Sequence, residues 1–113
     1  MIDQIQPAQL ADWIEAKAFA GQTLVLDVRE AWEVQTASVK ANGFELQCMP
    51  MNTIPARLDE LSREQPIACL CHHGARSMQV AAFLAQQGFA HVANIAGGIN
   101  AWSSQVDHTV PTY

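Results

Sequence analysis

The sequence predicts one α/β domain, with a central parallel sheet and helices on both faces. Three observations carry that prediction. Short β-prone apolar runs at Thr23–Val28, Ile67–Leu70 and Val92–Ile95 have the continuous hydrophobicity of strands buried on both faces. Segments with helical spacing separate them, the alternation that builds parallel sheets. The chain has 113 residues, the usual size of one domain. It is taken as one unit over 1–113, with a core over about 6–102 and a C-terminal tail over 103–113.

The elements follow in order. Pro7 opens a helix at its first turn, and Leu10, Trp13, Ile14 and Lys17 continue it at i, i+3, i+4, i+7, up to a stop at Gly21. The strand Thr23–Val28 comes next, then a short helix and loop over Arg29–Val39, then a second strand over Phe44–Met49. Thr53 is read as an N-cap with Pro55 in the turn after it, and Ile54, Leu58 and Leu61 share one helical face. Pro66 precedes the strand Ile67–Leu70. After the loop 72–76, Ser77 is read as the N-cap of a helix Met78–Gln87 that stops at Gly88, with Val80, Phe83, Leu84 and Gln87 on one face. Val92–Ile95 is the last strand, Gly97-Gly98 leads into a helical turn around Ala101-Trp102, and Val106–Tyr113 is expected to be surface loop.

Composition narrows the function classes. Half of the residues are hydrophobic and 15% are charged, against roughly 25% in an average soluble protein, so the chain can fill one core. The formal net charge is −5, and six Lys and Arg spread along the chain leave no nucleic-acid footprint. The longest apolar stretch, around Val80–Leu84, is broken by glutamines, so no membrane span is expected. Met1-Ile2-Asp3-Gln4 carries no basic segment followed by an apolar run, and the three cysteines are an odd number. Both points predict a cytoplasmic protein with free thiols.

The chemistry concentrates in Cys71-His72-His73-Gly74-Ala75-Arg76-Ser77, between a strand and a helix. In open α/β sheets, ligands bind beyond the carboxyl ends of the strands. A cysteine there, just ahead of a helix, meets unpaired N–H groups and the positive end of the helix dipole, which favour a thiolate. Gly74 lets the loop turn its N–H groups inward, and Arg76 offers a fork of donors suited to an oxyanion. Cys69 and Cys48, inside apolar strands, are read as small hydrophobes. A Cys69–Cys71 disulfide is disfavoured, because residues two apart on a strand lie about 6.6 Å from each other, near the limit for closure. Cys71, His72 and His73 are all metal-ligand types, but consecutive residues rarely converge on one ion, so neither a metal nor a cofactor is expected. His91 and His108 are read as exposed or capping residues.

These residues resemble the rhodanese homology domain. Its active loop runs Cys-x-x-Gly-x-Arg-Ser, which Cys71, Gly74, Arg76 and Ser77 fit. Leu26-Asp27-Val28-Arg29-Glu30, followed by Trp32-Glu33, is similar to the family's first strand, and Gly97-Gly98-Ile99-Asn100-Ala101-Trp102 to its closing motif. Three motifs in order, from about Gln6 to Trp102, make a specific signal. One segment departs from the family. Ala37–Gly43 stands where many members carry Gly-His-Ile-x-Gly-Ala, and the run to Met49-Pro50 is longer.

The resemblance implies a two-step sulfur transfer. Cys71 is the nucleophile, and His72, His73, Gly74, Ala75, Arg76 and Ser77 form the substrate cradle. The expected partners are a small sulfur donor such as thiosulfate and an acceptor that is a thiol, cyanide or a thioredoxin-like protein. Asp27 and Arg29 are read as a structural ion pair, and Trp32 and Trp102 as core packing. Alternatives are a sulfur relay fed by a protein donor, a regulatory rhodanese-like binding module, and a cysteine phosphatase or arsenate reductase. The last resemble one another in placing five residues between Cys and Arg, whereas four separate Cys71 from Arg76 here.

Overall fold

The three apolar runs form the buried strands of a parallel sheet. In the computed structural model, which describes residues 2–113, they are β2 (Leu24–Asp27), β4 (Ile67–Leu70) and β5 (Val92–Ile95), and every residue in them is buried. Two more polar strands close the edges: β1 (Ile2–Ile5) and β3 (Glu45–Cys48). The five strands run in the order β1-β5-β4-β2-β3, all parallel. β1 is absent from the expectations above, so the core begins before residue 6, with Ile2 registered on Val92 and Ile5 on Ile95.

Helices cover both faces, as expected. α1 (Leu10–Ala16) and α4 (Gly98–Gln105) lie on one side, where Leu10, Trp13, Ile99 and Trp102 pack with Val25, Ala68, Leu70, Ala93 and Ile95. α3 (Ala75–Gln86) lies on the other, where Val80, Ala81 and Leu84 meet Leu24, Leu26, Ile67, Cys69 and Val92. Alternate residues of each strand serve alternate cores, the period of two that a strand imposes. A short α2 (Ala31–Thr36) follows β2, with Glu30 and Glu33 forming a capping box at its start.

Several local expectations are corrected. The segment after Pro50 forms 3-10 turns over Met51–Thr53 and Pro55–Glu60 rather than an α-helix. Thr53 does not cap it, because its hydroxyl donates back to the Pro50 carbonyl at 2.7 Å. Ile54 and Leu61 are still buried as the expected apolar face. Trp102 is in the core, meeting Phe44 edge to face, but Trp32 is 61% exposed. Cys48 is exposed at the end of an edge strand rather than buried in one. The tail is not simple surface loop either. Val110 is buried in the first core, and Tyr113 reaches the loop that follows β4. In the atypical 37–43 segment, Ala37 and Val39 supply the apolar contacts.

The strand order fixes where ligands can go. After β2 the chain turns to one side of the sheet, to β3, and after β4 to the other, to β5. The crevice of such a sheet opens between β2 and β4 at their carboxyl ends. Asp27 ends one of these strands, and Cys71 directly follows the other.

Candidate active site

The loop after β4 wraps its own sulfur. Gly74 takes φ +106°, a conformation that L side chains rarely adopt, and an added Cβ would sit 3.1 Å from the Gly97 nitrogen. That conformation turns the Gly74 N–H onto Cys71 Sγ at 3.1 Å. It also starts α3 at Ala75, so Gly74 is the N-cap and not Ser77. Ser77 lies inside the first turn, fully buried, with Oγ 3.2 Å from Cys71 Sγ. The first turn of a helix leaves N–H groups without intrahelical partners, and here that turn lies beside the sulfur. Cys71 itself is 1% exposed.

The closing Gly-Gly motif supports the loop from behind. The Ile99 N–H donates to the Cys71 carbonyl at 2.8 Å, and the Asn100 N–H to the His72 carbonyl at 3.2 Å. Gly98 must be glycine for this approach. A Cβ there would fall 2.5 Å from the His72 carbonyl oxygen, and φ is +59°.

Arg76 has a partner that the sequence did not reveal. Both ends of its fork are taken by Glu33, with Nη1–Oε2 at 2.7 Å and Nη2–Oε1 at 2.8 Å. The guanidinium therefore braces α3 against α2. The Gly74 N–H and the Ser77 hydroxyl contact the sulfur. His72 and His73 stack on each other with ring centroids 3.9 Å apart. Among the described residues, no group of three or more His, Cys, Asp or Glu is placed to hold a metal ion. Burial, with help from His73, pushes the His72 imidazole below its ordinary value. His73 and Ala75 lie at the exposed rim.

The Asp27–Arg29 pair is structural, as expected, and is built into the loop's support. Arg29 is fully buried, and all five of its N–H donors are placed. They meet both Asp27 oxygens at 2.8 and 2.6 Å, the carbonyls of Ala37 at 2.8 Å and Glu33 at 3.3 Å, and the Tyr113 hydroxyl at 3.0 Å. The Tyr113 hydroxyl donates onward to Glu33 Oε1 at 2.9 Å, while its ring lies flat on His72, with centroids 3.9 Å apart and planes 7° apart. An ionic chain thus runs from the end of β2 through Tyr113 and Glu33 to Arg76.

Sequence reading misses two members of this site. Tyr113 sits in a tail without periodicity. Asn94 interrupts the apolar run of β5, which is the available signal, because a buried polar side chain needs partners. Its Oδ1 accepts the Ser77 hydroxyl at 2.5 Å.

The ionic chain predicts an acid response. The Arg76 fork, against the cost of burial and with the Glu30 N–H and Tyr113 hydroxyl, holds the Glu33 carboxyl down to about 2. A carboxylate lowered in the folded state stabilises fully above its unfolded value, 4.5, and that stability is lost as pH falls toward 2. The shift corresponds to no more than about 3 kcal/mol. Urea midpoints measured from pH 7 to 2.5 should hold steady and then fall below about 4.5. Glu33→Gln should remove that component and flatten the profile.

Comparison with known proteins gives the family and the fold. Residues 6–105 match the family model described as Rhodanese-like domain. The chain is 37% identical to the Rhodanese-like/PpiC domain-containing protein 12, chloroplastic, of Arabidopsis thaliana, over 99% of its own length but 38% of the plant protein. It is 32% identical to a sulfurtransferase of Allochromatium vinosum, covering 91% of this chain and 90% of that one. Among solved structures, a rhodanese-like domain protein from Staphylococcus aureus superposes with a TM-score of 0.75 at 22% identity, over 99% of both chains, a likeness of fold.

Proposed function

The chain belongs to the rhodanese-like domain family, and from that premise we propose that it is a sulfurtransferase carrying sulfane sulfur as a persulfide on Cys71. The observation that supports this most is the placement of Cys71 Sγ at the carboxyl end of the central strand, under the Gly74 N–H and beside the first turn of α3. Such a site offers the sulfur a backbone donor, and the loop over 72–77 carries no Asp or Glu as a general acid for a leaving alcohol.

The reaction balances without a redox partner. The Cys71 thiolate attacks the outer sulfur of thiosulfate, the S–S bond of the donor breaks, and sulfite leaves with the bonding pair. The terminal sulfur of the persulfide is an anion that the loop N–H groups can hold. An acceptor thiolate or cyanide then attacks that terminal sulfur, forming a persulfide or thiocyanate and returning the Cys71 thiolate. A thioredoxin-like protein fits the acceptor role as a thiol, and the reducing chemistry suits a cytoplasmic setting. The 72–76 loop has to part from the sulfur for either step, since Cys71 is covered.

The test is incubation with thiosulfate, intact-mass analysis, and then cyanide or a dithiol. One added sulfur that the acceptor removes, with aryl phosphate hydrolysis at background, is the expected result. Failure to take sulfur from thiosulfate and from a small persulfide alike would sink the reading. Hydrolysis of aryl phosphates as the faster reaction would transfer it to the phosphatase class.

A further inference from the structure

Beneath the active loop lies a hydrogen-bonded chain that sulfur transfer itself does not use. Ser77 on α3 donates to Asn94 Oδ1 on β5 at 2.5 Å. The Asn94 amide donates from Nδ2 to the Gly74 carbonyl at 3.3 Å and to Gln4 Oε1 on β1 at 3.0 Å. The Gly74 carbonyl can only accept, and that fixes the orientation of the amide. A flipped Asn94 would press its oxygen against the Gly74 carbonyl, so Oδ1 has to face Ser77.

A serine hydroxyl has one proton to give. Donated to Asn94, it is withheld from Cys71 Sγ, 3.2 Å from the same oxygen. In that state Ser77 can only accept from the sulfur, which suits a thiol S–H. A thiolate or persulfide calls for the opposite direction, with the hydroxyl turned to donate. Asn94 and an anionic sulfur therefore compete for one proton.

We propose that Asn94 is a positioning residue that holds the Ser77 hydroxyl off the Cys71 sulfur and so favours the thiol over the thiolate. The inference rests on Cys71 as the reactive sulfur, as argued above. Charged and titratable groups around that sulfur are Cys69 on β4, His72 and His73 in the loop, and Arg76 on α3. Beyond them lie Glu33 on α2, Asp27 and Arg29 at the end of β2, and Tyr113. None of them is a hydrogen-bond partner of Asn94.

The experiment is the pH profile of iodoacetamide alkylation at Cys71 in the full chain, with the modified site read by peptide mapping. Asn94→Ala frees the hydroxyl, and the midpoint should fall by about one pH unit, or tenfold in thiolate fraction at a fixed pH below the midpoint. Asn94→Leu keeps the branched shape and the number of side-chain heavy atoms and should do the same if the alanine variant folds poorly. Asn94→Asp should raise the midpoint, because a carboxylate holds the Ser77 proton more strongly and adds negative charge. In a Ser77→Ala background, Asn94→Ala should have no further effect, an outcome that a merely structural role for Asn94 would not produce. An unchanged or raised midpoint in Asn94→Ala and Asn94→Leu, or an equal shift in both backgrounds, overturns the proposal. Alkylation needs no sulfur donor. A chain that fails with thiosulfate yet shows this coupling would refute sulfur transfer and keep the role of Asn94, and the reverse result would do the opposite.

Discussion

Cys71→Ser will carry no added sulfur after incubation with thiosulfate, and sulfur transfer will fall by roughly 10³-fold or more, as expected when a covalent nucleophile is lost. Cys48→Ser and Cys69→Ser will keep the adduct. The surroundings of the three thiols decide this. Cys69 faces the second core with no exposed surface, and burial pushes its thiol up to about 12. Cys48 is open to solvent at the end of β3, where partial burial and then the nearby Asp27 push its thiol up. Only Cys71 receives a backbone N–H at the start of a helix. Intact-mass analysis of the three variants is the check. An adduct that persists in Cys71→Ser and vanishes in Cys48→Ser or Cys69→Ser would move the nucleophile elsewhere.

Asp27→Ala will destabilise the domain by about 3–5 kcal/mol, the cost of leaving a buried charge without its partner. That is a large part of the 5–15 kcal/mol by which such domains are stable. Arg29 has no exposed side-chain surface, and among the described residues Asp27 is its only charged partner, at 2.6 Å. Water cannot take the place of the carboxylate at that depth. Two carbonyls and the Tyr113 hydroxyl would remain around the guanidinium without neutralising it. Asp27→Leu combined with Arg29→Met should recover part of the loss, since it removes both charges and leaves only the Ala37 carbonyl short of its donor, while the Glu33 carbonyl keeps the Ala37 N–H and the Tyr113 hydroxyl keeps Glu33. Urea unfolding of the single and double variants measures this. A single variant within 1 kcal/mol (roughly the value of a surface pair) of the parent would show the pair to be dispensable.

The fold class is legible because three strands are buried on both faces and so read as unbroken apolar runs. β1 is not, because an edge strand such as Ile2-Asp3-Gln4-Ile5 needs only part of its surface covered and its partner lies some 90 residues away (Ile2 on Val92). The active loop is legible because its residues are contiguous. The start of α3 is misplaced because Ser77 has the chemistry of a cap, while the conformation of Gly74 begins the helix two residues ahead of it. Arg76 illustrates the same difficulty across longer distances. Its type suits an anionic ligand, and only the fold shows that Glu33 already fills its fork. Trp32 reads as core by size, yet it meets the ring of Tyr113 at the surface.

The pairing of the first strand with the last has a consequence for how the domain comes together. β1 has no partner in the sheet until β5 exists, so its docking must wait for nearly the whole chain. Contacts so distant in sequence carry a loop-closure cost before they return any stability, which slows folding. Gln4 belongs to that late strand, and it accepts a hydrogen bond from the Asn94 amide. The loop after β4 can form with its neighbours β2 and β5 already in place, but the arrangement beneath it stays incomplete until β1 arrives. During refolding, near-native sheet spectra should therefore precede the final alkylation profile of Cys71.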